Sequence, residues 1–145
     1  MERRCLQFAM ILAACVPIYG GLFGVLEGAR AFGAWPGHAA DSHMRYLSGV
    51  LLAIGVVYLG CVPAVERRGT VVRVLTFLVL AGGLSRLAGV FISGDPGSMR
   101  WTLAMELGVA PLLSLWQTRV AASSPNGAFT LHRRLAKGGH GNRRL

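Results

Sequence analysis

VLTFLVLAGGLSRLAGVFISG, Val74 to Gly94, is a 21-residue apolar run broken by one charge, Arg86. A membrane-spanning helix needs about 20 apolar residues, at 1.5 Å rise each, to cross a hydrocarbon core of about 30 Å. The run therefore reads as a span with an arginine inside it. An ionisable side chain at that depth costs about 2.5 to 3.5 kcal/mol on insertion scales, so it normally has a partner. The next run supplies one. Trp101 to Thr118 is 18 residues interrupted only by Glu106.

Two further runs lie upstream. Cys5 to Leu26 is 22 residues without a charge and Tyr46 to Val65 is 20. The composition agrees, with 53% hydrophobic and 14% charged residues, where a soluble domain carries about a quarter charged. The fold class expected is all-α, an integral membrane four-helix up-down bundle. Its helices fall near residues 5–27, 44–65, 71–93 and 100–118, within a domain spanning 1–120. The connections are too short for a soluble catalytic domain, so the lipid bilayer is the first expected partner.

Met1-Glu2-Arg3-Arg4 ahead of an apolar run has the charge pattern of a signal peptide, and Leu12-Ala13-Ala14-Cys15 resembles a lipoprotein cleavage box. The chain nevertheless stays apolar beyond Cys15 as far as Leu26, and the segment is taken as a retained helix. Orientation follows from the basic residues. Arg3, Arg4, Arg67, Arg68, Arg73 and the six Lys/Arg after helix four fall on one side, against Arg30, Arg45 and Arg100 on the other. The positive-inside rule places both termini in the cytoplasm.

Residues 119–145 carry +6 of the formal net charge of +9, with no acid among them. From about residue 121 this reads as a disordered basic tail that reinforces topology. The alternative is a polybasic clamp on anionic lipid, worth about 1 kcal/mol per basic residue near the surface. With neither a motif nor interleaved aromatics, no nucleic-acid partner is expected. Three cysteines without a Cys-x-x-Cys pair read as reduced, packing thiols. There is no Gly-rich phosphate loop, zinc-protease pair or Gly-x-Ser-x-Gly elbow, and no cofactor is expected. His38, Asp41 and His43 follow a turn at Trp35-Pro36-Gly37, but their spacing fits no standard metal site. They read as loop polarity, with Asp41-Ser42 as N-cap of helix two. Tyr46, Trp101 and Trp116 read as interface anchors, and Pro17, Pro63 and Pro111 as kinks or helix ends.

Depth and face bring the charges together. Arg86 lies seven residues before Ser93 and Glu106 six after Arg100, so each is about 10 Å from the outer end of its helix at 1.5 Å per residue. Gly82, Arg86, Gly89 and Ser93 share a stripe of helix three, and small residues let membrane helices approach closely. Helix four offers Thr102, Glu106, Val109 or Ala110, and Leu113. Gly20, Gly24 and Gly28 form a small-residue stripe on helix one, with Glu27 beside it. Helix two contributes Arg45, Ser48, Gly49 and Leu52. The expected polar cluster in the outer half of the membrane is thus Glu27, Arg45, Arg86 and Glu106, with Tyr46 and Ser48 at its edge.

Arg45-Tyr46-Leu47-Ser48-Gly49, Gly82-Gly83-Leu84-Ser85-Arg86-Leu87, and Glu106 followed by Pro111 and Trp116-Gln117 resemble the bacterial four-helix membrane family known as domain of unknown function 4345. The resemblance covers residues from about 6 to 120. It implies a four-helix integral protein of the bacterial inner membrane without an assigned activity. A more distant fold-level likeness to DoxD/DoxX proteins implies redox or thiol chemistry, for which this chain lacks a cysteine pair.

Several readings of the cluster stay open. The plainest is an ion pair that fixes which helices adjoin. A second is a pocket in which Arg45 and Arg86 clamp a carboxylate or phosphate, since the guanidinium fork binds two oxygens at once. In a third, Glu106 is the general base of a membrane-embedded enzyme acting on a lipid-like or anionic substrate, although Arg86 beside it works against proton transfer. The leading expectation is a non-enzymatic component that binds a ligand, a membrane protein partner or its own copies. A small oligomeric transporter is the remaining alternative.

Overall fold

The computed structural model describes residues 1–32, 37–94 and 100–123. Among them every regular element is helical. Helix α1 runs Glu2–Glu27 and passes into a 3-10 turn, Gly28–Phe32. Helix α2 spans His38–Cys61 and ends in a second 3-10 turn, Val62–Ala64. Helix α3 spans Gly69–Ser93. The fourth rod comprises α4 (Arg100–Ala104), a π turn (Met105–Val109) and α5 (Ala110–Ala122). The basic tail from residue 124 onward lies outside the described residues.

Three segments are long and apolar enough to cross a membrane: Glu2–Arg30, His38–Ala64 and Gly69–Ile92. The fourth rod is divided by its π turn. Pro111 explains the division, because it has no N–H to donate to the carbonyl four residues back and its ring crowds that carbonyl. The chain absorbs this by widening one turn, so that the Ala110 N–H bonds the Met105 carbonyl instead. Pro17 is accommodated within α1, and Pro63 sits in the 3-10 turn after α2.

Helices α1 and α2 form an antiparallel pair held by close backbone approach. A Cβ on Gly21 would lie 2.5 Å from the Leu52 nitrogen and 2.7 Å from its Cα. One on Gly24 would strike the Ser48 hydroxyl, and one on Gly55 would lie 2.7 Å from the Ile18 side chain. The stripe in contact is therefore Gly21, Gly24 and Gly28 rather than the expected Gly20, Gly24 and Gly28. Gly20 sits one residue, or about 100°, round the helix and meets only Leu51 at 3.9 Å.

Helix α3 and the fourth rod form the second antiparallel pair, and here too the expected face shifts by one position. Gly83 is the point of approach, where a Cβ would lie 2.8 Å from Leu107 and 3.0 Å from the Glu106 Cβ. Gly82 and Gly89, expected inside, are exposed, and among the described residues nothing lies within 4 Å of the Cβ position.

The two pairs share a core at one end, here the proximal end. It is built from Leu6, Met10, Cys61, Val62, Val65, Val72, Leu113 and Val120. Side chains bind the connection after α2 to it. Gln7 Nε2 donates to the Val62 carbonyl at 2.9 Å, and Arg3 Nη2 to the Pro63 carbonyl at 3.3 Å. Toward the distal end, α4 and the π turn contribute no buried residue. Cys61 is buried in the core, while Cys5 and Cys15 are exposed, and all three are free thiols.

Candidate functional site

Arg86 and Glu106 meet across the second pair. Arg86 Nε donates to Glu106 Oε2 at 3.2 Å and Nη2 donates to Oε1 at 3.3 Å, a two-pronged contact along one edge of the guanidinium. Such forked pairs fix orientation as well as charge. The carboxylate is carried by the widened π turn, and the missing Cβ of Gly83 lets that turn approach α3. The glutamate side chain is 15% exposed and the arginine 35%. The pair thus lies on a flank of the helix assembly rather than sealed in its core. Gly82 and Gly89, one turn on either side of Arg86 along α3, leave that flank uncovered by the described residues.

Arg45 is held elsewhere. Its Nε donates to Asp41 Oδ2 at 2.8 Å, and its Nη1 donates to the carbonyls of Val25 at 2.6 Å and Leu26 at 3.0 Å. These are carbonyls of the last turn of α1, which have no acceptor role left within the helix. The cation also complements the negative end of the α1 dipole. Asp41 Oδ1 in turn accepts from the Ala29 N–H at 2.9 Å. The turn depends on Gly28, whose φ of +61° lies in the region open to glycine and whose Cβ would fall 2.9 Å from the Arg45 guanidinium. Asp41 is therefore not the N-cap of α2, which starts at His38 after Gly37 rather than near residue 44. It closes the end of α1.

The remaining expected residues separate similarly. Ser48 is buried and packs where Gly24 leaves room. Glu27 is exposed, and Tyr46 is exposed as well. Of the proposed cluster, the contacts thus join Arg86 to Glu106, while Arg45 and Ser48 are engaged in the α1–α2 pair. His38 and His43 are both exposed on the first turns of α2.

Sequence reasoning named Gln117 only as part of the Trp116-Gln117 motif and gave it no role of its own. It lies on α5 near the proximal end, 1% exposed, with Nε2 donating to the Val65 carbonyl at 2.7 Å. An uncharged amide late in an otherwise apolar run was the available signal.

A family model described as a domain of unknown function (DUF4345) matches residues 5–117. The chain belongs to the DUF4345 family. No curated protein and no solved structure matches it. The DUF4345 region contains all four rods up to Gln117, and so includes both the Arg86–Glu106 pair and the Arg45–Asp41 closure.

Proposed function

We propose that this protein is a non-enzymatic, multi-pass component of the bacterial inner membrane, a four-helix bundle with both termini cytoplasmic. In this reading it binds a second copy of itself through the flank bearing Arg86 and Glu106. The observation that carries the reading is the exposure of that pair beside the bare Gly82 and Gly89 surface. Facing hydrocarbon, a partly exposed ion pair is costly, and a protein partner removes the cost. Small residues on the same face permit the close helix approach on which membrane association depends.

The identity of the partner follows from symmetry. A two-fold axis along the membrane normal preserves depth and requires a self-complementary surface. A cation and an anion side by side on neighbouring helices form such a surface, because rotation sets each Arg86 opposite the other copy's Glu106. An enzyme or proton-coupled transporter needs a carboxylate at liberty to exchange protons, and the forked contact with Arg86 weighs against both.

Donor- and acceptor-labelled protein mixed in liposomes tests the reading by energy transfer as the lipid ratio is raised. Wild type should self-associate, and Gly89→Leu should weaken association by about tenfold by blocking the approach. Gly60→Leu, at a second exposed glycine with open space around it, should have little effect. Wild-type protein that stays monomeric at every lipid ratio would exclude the dimer.

A further inference from the structure

The proximal end carries a second polar site, remote from the ion pair. Helix α3 begins there with no side-chain cap and no acidic residue in its first turn. The opening N–H groups of a helix lack intrahelical acceptors, and the dipole gives that end about half a positive charge. A pocket of about 250 Å³ lies against it, with Glu66, Arg67, Gly69, Thr70, Arg73 and Gln117 in its lining. Arg73 Nη2 donates to the Thr70 hydroxyl at 3.4 Å, so both side chains belong to one polar rim.

Gln117 gives the pocket a second demand. Its amide is 1% exposed, and while Nε2 is satisfied by Val65, Oε1 is buried with no hydrogen-bond partner among the described residues. An orphaned acceptor of this kind costs about 1 to 3 kcal/mol. Flipping the amide does not help, since it would set one carbonyl oxygen against another. A Cβ on Gly69 would stand 3.2 Å from Oε1 and 3.0 Å from Nε2, so the glycine keeps the space beside the amide open.

The site thus asks for an anion at the α3 terminus and the arginines, and for a hydrogen-bond donor at Gln117. Glu66, which meets Arg3 at 3.5 Å, adds a carboxylate to the wall and favours a cationic donor. We infer that this pocket takes a phosphoethanolamine headgroup. Its phosphate sits on Arg67, Arg73 and the start of α3, and its ammonium faces Gln117 Oε1 and Glu66. A lipid as the source of that headgroup rests on the membrane reading above, whereas the headgroup chemistry does not.

Native mass spectrometry of the full chain, released from phosphatidylcholine nanodiscs doped with phosphatidylethanolamine or phosphatidylglycerol, tests this. Choline offers the phosphate without an N–H donor, and glycerol offers hydroxyl donors without the cation. Phosphatidylethanolamine should be retained about tenfold over either. Arg73→Gln, an exposed change that weakens the phosphate contact, should lower retention of all three lipids alike, and Gly69→Ala, which crowds the Gln117 amide, should bring ethanolamine lipid down to the choline level, each with the melting temperature unchanged. Equal retention of ethanolamine and choline lipids would overturn the inference and leave Gln117 to water alone. Glycerol lipid retained as well as ethanolamine lipid would show that charge alone is read, and would also overturn it. Soluble glycerophosphoethanolamine should fail to displace the bound lipid, and displacement at equal concentration would rule out a lipid source. Gly89→Leu, which separates the proposed dimer, should leave retention intact, so the two readings fail independently.

Discussion

Glu106→Gln should destabilise the folded protein by about 3 kcal/mol and Arg86→Met by less, with the double change recovering part of the loss. The asymmetry comes from the chemistry of the two groups. An arginine left alone keeps its charge, because the guanidinium does not deprotonate in proteins. A carboxylate left alone can neutralise itself by binding a proton. The magnitude sits at the lower end of the range for broken buried pairs because the Arg86 side chain is 35% exposed. A double-mutant cycle on purified protein yields the coupling directly, and about 1 to 3 kcal/mol is expected for groups in contact. Coupling near zero would mean that the two side chains answer to other partners.

The second large effect is expected far from any charge. Gly21→Ala sets a methyl group 2.5 Å from the Leu52 nitrogen, where the obstacle is backbone and cannot rotate aside. The α1–α2 pair must part or shift, at about 2 to 3 kcal/mol. Gly20→Ala, one residue away, meets only Leu51 at 3.9 Å. It should be neutral or stabilising by up to about 1 kcal/mol through helix propensity. Thermal unfolding of the two variants side by side checks this. Equal sensitivity of both positions would refute the observed helix rotation.

That contrast also shows what the sequence can and cannot convey. Uninterrupted apolar runs locate helices because each must satisfy its own backbone and present apolar side chains all round. Pairing of Arg86 with Glu106 was legible too, from equal depth on adjacent helices. Rotation was not. Gly20 and Gly21, like Gly82 and Gly83, are adjacent small residues about 100° apart, and spacing cannot decide which of them faces a neighbour. Helices that are apolar all round have little amphipathic contrast to settle the matter.

The partners of Arg45 were hidden for a different reason. Depth and helix face group it with the other charges, but the carbonyls at the end of α1 are nearer and need donors. Asp41, read as the cap of its own helix, completes that closure across the turn through Ala29. Such tertiary capping leaves no local signature. Pro111 was visible as a disruption, yet its consequence, a π turn that carries Glu106 toward α3, depends on how the helix absorbs the missing hydrogen bond.

The proposed dimer and a lipid source for the headgroup both depend on the helices lying in a bilayer, and the proposed depth of the ion pair depends on both chain ends being on the cytoplasmic side. Paired topology reporters, one active only in the cytoplasm and one only beyond the membrane, fused after Leu145 and after Gly97 measure this most directly. The account predicts cytoplasmic activity alone at Leu145 and external activity alone at Gly97. External activity from the Leu145 fusion would contradict it, and with it the shared depth of Arg86 and Glu106 in the outer half of the membrane.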